Sequence, residues 1–468
     1  MDSDHRTDAA GRSMPERLLE ADMPRGALVE APIRIVLVYL LITVGLFLEQ
    51  YFTTIPNATA VVAYCLVNFA ALFLGWSSRR AASVVRAGGY RTTALAERLL
   101  LLACCATIAV SLNSVLSFYP NIWEAFKSAL QPGMAYEHVK FLNRNGIEAG
   151  SFHTGSLLGV ILTSLSFTKY YVAGLSILSW RTLRTRTRLL VVVTAAAYTL
   201  QAFAIGAMVN IGSVFVASTP FILVATRGWI ESRSRRQPKR TLTSRRRIVL
   251  ASSLVAVTLL YFLGSRGVFV SGAGLRTSVL LSGMIGMVFY LTHGYVGLSY
   301  CLRLPFEFTW GHTTLRGLSS TLLPYLGVAS RFSNSYLVRS EQIFGWSALQ
   351  VWSTVFPWLA SDFTFWLVPI IFVIVGRSMK RSWVEGLVGG NPFALAFFGQ
   401  LLIFCAMIPA NNQLFNTFGN SVATIVIWIL YRVSLTGRRA ATWAASPCVQ
   451  DVSDDDGQHR IPTCDVRT

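Results

Sequence analysis

The chain has 468 residues, 53% hydrophobic and only 13% charged, which is more apolar surface than a water-soluble domain of this size can hide. Its formal net charge of +19 comes largely from Lys and Arg in short clusters between apolar runs, the pattern of a membrane protein and not of a nucleic-acid partner. These figures exclude a soluble enzyme as the bulk of the chain and make lipid its main solvent.

The polar stretch Met1 to Ala31 cannot bury enough apolar surface to fold alone and reads as a disordered tail. Ile33 to Phe52 follows as the first spanning helix. It lacks a short core with a small-residue cleavage site, so it reads as retained and not as a removed signal. Ala58 to Ser77 and Leu99 to Phe118 each supply about 20 mainly apolar residues, enough to cross a hydrocarbon layer about 30 Å thick. Arg79, Arg80, Arg86 and Arg91 follow the second helix, and Arg181, Arg184, Arg186 and Arg188 follow the fourth, which places both loops in the cytoplasm. The basic run Arg227 to Arg247 follows a tight helical pair with its turn near Asn210 and Gly212, and is cytoplasmic by the same rule.

A seventh helix, Arg247 to Gly264, leads outward. The next cytoplasmic cluster is Arg377, Lys380 and Arg381, after a span over Phe363 to Gly376, so the segment 265–360 begins and ends outside. Within it, Thr277 to Leu302 either lies in the interface or crosses in a pair with Leu318 to Ala329. The last helices are expected over Phe393 to Pro409 and Phe415 to Val433. The expected fold is an all-α polytopic bundle of about 10 to 12 transmembrane helices over 32–433, with one long external loop, 265–360. The tails 1–31 and 434–468 both fall in the cytoplasm. No internal repeat supports a transporter with symmetric halves.

None of the seven cysteines has metal-ligand spacing or belongs to a visible disulfide framework. No phosphate-loop motif is present, and outside the tails there is no adjacent or alternate Asp pair to clamp a metal. Neither a metal nor another cofactor is expected. The ten carboxylates outside the tails are Glu49, Glu97, Glu124, Glu137, Glu148, Glu231, Glu307, Glu341, Asp362 and Glu385. Asp362 stands out at the outer boundary of a span, where a carboxylate is costly unless paired or solvated. The plainer reading is that Ser361 and Asp362 cap the helix that follows.

The long loop carries Arg266, Arg276, Arg303, Arg316, Arg331 and Arg339 against only Glu307 and Glu341. Guanidinium groups grip phosphate oxygens in pairs and suit a lipid-linked pyrophosphate at the membrane surface; contact with anionic headgroups is the plainer alternative. His293 and His312 each adjoin glycine, with Tyr295 and Trp310 nearby, and an imidazole could take a hydroxyl proton near neutral pH. Trp310, Trp352 and Tyr295 could stack on sugar rings, although aromatic belts account for most such residues.

Two segments carry a resemblance. Tyr295 to Leu302 followed by Phe306-Glu307-Phe308-Thr309-Trp310-Gly311-His312-Thr313-Thr314, and Val351-Trp352-Ser353-Thr354 followed after a gap by Asp362-Phe363, together resemble the O-antigen polymerase (Wzy-type) family of oligosaccharide repeat-unit polymerases. The chain has Thr364 where that family usually has glycine, and Leu315 where an aromatic is common.

The resemblance implies a metal-independent glycosyltransferase of the bacterial inner membrane, acting on its outer face. It would join polyprenyl-pyrophosphate-linked oligosaccharides into a surface polysaccharide, among membrane lipids and beside a flippase and a chain-length regulator. Under it, Arg266, Arg276, Arg303 and Arg331 are pyrophosphate candidates, and Asp362, Glu307, His293 or His312 is the base. Tyr295, Trp310 and Trp352 would orient sugars. An O-antigen ligase, a polyprenyl-linked glycosyltransferase and a lipid-linked oligosaccharide exporter remain as alternatives. For the exporter, Lys169 is the main midspan charge.

Overall fold

In the computed structural model, residues 25–55, 57–78, 94–130, 157–234, 279–348 and 352–445 are described, and the elements below refer to these. They are helical: α1 Arg25–Tyr51, α2 Ala58–Ser77, α3 Ala94–Leu116 and a short α4 Ile122–Ala129. Next come α5 Leu157–Ser164, a 3-10 turn Leu165–Phe167, α6 Thr168–Ser179, α7 Thr185–Ala204 and α8 Met208–Ser234. The chain continues with α9 Val279–Cys301, short α10 Arg316–Leu322 and α11 Tyr336–Phe344, then α12 Val355–Leu387, α13 Pro392–Met407 and α14 Phe418–Ala445.

Eight helices among the described residues are long and apolar enough to cross a membrane, and the chain is a multi-pass membrane protein. The side chains agree with that reading. On α12, Trp366, Ile370 and Ile374 recur every fourth residue and are exposed, Trp366 to 90%, while Val368, Phe372 and Met379 of the same helix are fully buried. A helix apolar on its outward face as well as its inward one belongs in lipid.

The core forms where α1, α2, α9, α12 and α13 meet, with Phe47, Tyr295, Phe356, Phe372, Phe398 and Phe404 in one cluster. Backbone contact brings α2 and α12 together. A Cβ on Gly75 would lie 2.1 Å from the Val373 carbonyl oxygen, and one on Gly376 would lie 2.1 Å from that of Leu72. Such reciprocal glycines are how helices in lipid gain dispersion energy when no hydrophobic force drives them together.

Several boundaries differ from the sequence expectation. α1 starts at Arg25, inside the expected tail, and Trp76 Nε1 donates to Glu30 there at 3.1 Å. α14 runs on to Ala445, twelve residues beyond Val433, because the backbone ladder continues past the apolar window. The turn between α7 and α8 falls at 205–207, where Gly206 takes a φ of 64°, so Asn210 and Gly212 lie inside α8. Residues 318–329 form no crossing. They hold the end of α10, a 3-10 turn Pro324–Leu326 and left-handed Gly327, and so cannot pair with α9, which alone is about 35 Å long. The expected seventh helix, 247–264, lies outside the described residues.

Candidate functional site

The segment Pro305 to Leu315 crosses the end of α12 as an extended run followed by a tight turn. Phe306, Phe308 and Trp310 form a ring chain along one face, with centroids 6.2 and 4.7 Å apart. Strand alternation therefore sends Glu307 and Thr309 to the other face. Trp310 has a φ of 58° and Gly311 one of 82°. A bulky side chain in that left-handed region must be held there by its surroundings.

Asp362 does the holding. Its carboxylate accepts the hydroxyl of Thr309, the backbone N–H of Gly311 at 2.6 Å and that of Thr314 at 2.6 Å, and the residue is only 3% exposed. The expectation that Asp362 and Ser361 open a helix is corrected here. α12 begins seven residues earlier at Val355, and Ser361 Oγ instead donates to the Pro357 carbonyl and accepts the Tyr336 N–H. The carboxylate oxygens already serve three donors, all of them from the loop. Asp362 is a positioning residue for the loop.

Two residues beyond it, Thr364 breaks α12 with φ 61° and ψ 156°, a region almost reserved for glycine. Thr364→Gly is expected to stabilise the protein by about 1–2 kcal/mol, read as a rise in the unfolding midpoint in detergent. At an ordinary helical position glycine would lower it by about 1 kcal/mol, so the sign of the shift decides the matter.

The loop brings three of the sequence candidates together. The Arg331 backbone N–H donates to His312 Nδ1 at 2.7 Å, and the Arg331 guanidinium lies 5.7 Å from the Trp310 ring, itself 63% exposed. With Nδ1 accepting, neutral His312 carries its proton on Nε2. With Nδ1 occupied in this way, His312 offers an Nε2–H donor where a base was expected.

A fourth member was counted among the loop arginines but not singled out. Arg316, at the start of α10, packs its guanidinium 4.9 Å from the Phe332 ring, which in turn meets Trp358 at 6.1 Å. Its Nη1 donates to Asn416 Oδ1 at 2.8 Å, and burial lowers the guanidinium to about 10, still far enough above neutrality to keep its charge. No ion pair of Arg316 with a carboxylate occurs among the described residues. The loop Ile408 to Thr417 supports this corner from below. Asn412 Nδ2 donates to the Thr314 carbonyl at 2.8 Å, and the Gly317 N–H donates to that of Phe415 at 2.7 Å.

Other candidates lie elsewhere. Glu307 is bonded to Arg339 at 2.8 Å, with its side chain 47% exposed, on the face of the loop away from Trp310. Arg339 also donates to the carbonyls of Pro305 and Asn334, so it clamps the loop's start. Arg303 is exposed and stacks 5.0 Å from Phe344.

His293 and Tyr295 sit in the buried half of α9. His293 Nδ1 is 2.9 Å from the Phe289 carbonyl, and Tyr295 pairs its hydroxyl with Thr43 at 2.8 Å. Both are corrected from site to core, since His293 is only 2% exposed and Tyr295 fully buried. The signal was present in the apolar neighbours Val296 and Leu298. Trp352 packs partly buried against Leu337, Ala348 and Trp358. Arg266 and Arg276 lie outside the described residues.

Among the described residues no three His, Cys, Asp or Glu side chains gather in a way that could hold a metal ion. No family model matches the chain, and no curated protein or solved structure matches it.

Proposed function

We propose that the chain is a bacterial inner-membrane polymerase that joins polyprenyl-pyrophosphate-linked oligosaccharide repeat units into a surface polysaccharide. The observation that carries this reading is the contact between the two segments that resemble the family. The Phe306 to Thr314 segment and Asp362, about fifty residues apart, meet through the carboxylate bonds to Gly311 and Thr314. The position that the family fills with glycine, here Thr364, is also the one where the backbone takes a glycine-type conformation.

The step itself is a glycosyl transfer. The bond from the donor sugar's anomeric carbon to the pyrophosphate oxygen breaks, a new bond forms to the acceptor hydroxyl, and that hydroxyl loses its proton. Negative charge grows on the departing pyrophosphate. Arg316 and Arg331 supply positive charge for it, His312 Nε2–H can donate to one of its oxygens, and Trp310 offers an exposed face for a sugar ring. Glu307, bonded to Arg339 at 2.8 Å, is the exposed carboxylate of the loop and the remaining base candidate. A good leaving group needs little help from the base, which fits a site richer in cations than in free carboxylates.

The test is the surface glycan of a strain lacking the gene, resolved by length on a gel. A polymerase is expected to leave a single capped repeat in place of the ladder. An unchanged ladder overturns this reading, and complete loss of surface glycan with lipid-linked repeats trapped inside points to an exporter.

A further inference from the structure

We propose that Lys169 is the cationic centre of an anion-binding site inside the helical bundle, one that takes a phosphoryl group. This goes beyond the glycan reading and does not depend on it. Lys169 lies near the middle of the span Leu158–Ser179, with about 15 Å of helix on either side. It is the second residue after the 3-10 turn Leu165–Phe167, where the helix is wound more tightly. An ionisable residue at such a depth is costly and is retained for a partner.

The described surroundings supply aromatic faces and no anion. The ammonium lies 5.0 Å from the Tyr170 ring and 5.7 Å from the Tyr198 ring. Tyr198 is fixed by its hydroxyl, which donates to the Asn210 carbonyl at 3.1 Å, and the neighbouring Thr168 pairs its hydroxyl with Thr107 at 2.8 Å. Among the described residues no carboxylate pairs with Lys169. Glu97, Glu124, Glu307, Glu341 and Asp362 are engaged with Thr187, Lys127, Arg339, Ala348 and the loop Pro305 to Leu315.

Ring faces attract the charge but leave the three N–H donors of an ammonium without oxygen acceptors. A phosphoryl group supplies several acceptor oxygens and a countercharge at once, and lysine binds phosphate as a point charge. Phosphoryl groups are also the anions that a bilayer presents in quantity, from its own headgroups or from a lipid-linked diphosphate.

The experiment uses the full chain in neutral phosphatidylcholine nanodiscs and measures retention of three probes: phosphatidylglycerol, a polyprenyl diphosphate and inorganic pyrophosphate. Wild type is expected to retain at least one, Lys169→Met to retain it at least tenfold less, and Lys169→Arg to stay within threefold of wild type. Retention of phosphatidylglycerol identifies a headgroup as the source, of the polyprenyl diphosphate alone a lipid-linked chain, and of inorganic pyrophosphate a soluble anion.

A second measurement on wild type avoids reliance on a variant that fails to fold. Acylation of the Lys169 amine, mapped by mass spectrometry, should slow at least threefold with the retained probe bound. No retention of any probe, equal retention by a folded Lys169→Met protein, or unslowed acylation overturns the proposal.

Discussion

Asp362→Ala is expected to abolish polymer while leaving single repeat units, and to do so by releasing the loop Pro305 to Leu315. The substitution orphans the Gly311 and Thr314 N–H groups, while the Thr309 hydroxyl keeps the Ser361 carbonyl at 3.2 Å and the Thr313 hydroxyl at 2.9 Å. Unpaired buried donors cost about 1–3 kcal/mol each, so a total loss on the order of 3–5 kcal/mol is expected. Trp310 is then expected to leave its left-handed conformation, since the ring contacts with Phe308 and Arg331 hold the side chain and not the backbone of this turn.

Three readouts separate this from a catalytic role. The Asp362→Asn protein should lose polymer, melt at a lower temperature and be cut faster by protease between 305 and 315, because an amide offers one acceptor where two oxygens were used. A base at position 362 would give an inactive Asn variant with wild-type melting and wild-type protease resistance. That outcome would return Asp362 to the chemistry.

Arg316→Met is expected to reduce polymer at least a hundredfold with the protein still folded. The methionine fills much of the same volume against Phe332, so the change falls mainly on the charge. Removing one preorganised donor to a developing anion costs roughly 2.7–4 kcal/mol of barrier, or about two to three orders of magnitude in rate. Arg316→Lys keeps the charge but loses the planar contact with the ring and the fixed reach to Asn416, and should fall between the two.

Arg303 provides the contrast. It is exposed on Phe344 and outside the cluster around Trp310, so Arg303→Met should leave the ladder long. A wild-type ladder from Arg316→Met, measured beside it, would make Arg316 a packing residue.

Residue type and position in the chain made Trp310, His312 and Arg331 legible as candidates, because aromatic and cationic side chains in one stretch of chain can be counted directly. Their roles were less legible. His312 reads as a base from its type, but a backbone N–H nineteen residues away occupies Nδ1 and turns the ring into a donor. Arg316 and Arg303 are the same residue in the same loop, and only the fold buries one against Phe332 and Asn416 while leaving the other in the open.

Glycine spacing likewise did not reveal that Gly75 and Gly376 face each other across two helices. The polar loop Ile408 to Thr417 carries no signal in the sequence, since Asn411, Asn412 and Asn416 look like an ordinary connection. Asn412 and Asn416 prove to bind Thr314 and Arg316 from about a hundred residues away.

By itself the sequence determined that this is a multi-pass helical membrane protein. Apolar length and backbone hydrogen bonding are local quantities, and lipid leaves a helix few alternatives. Only the tertiary structure decided which polar groups are partners. A carboxylate becomes a pin or a base, and an arginine a buried charge or a surface one, according to donors and rings that lie far along the chain. No local pattern encodes those distances.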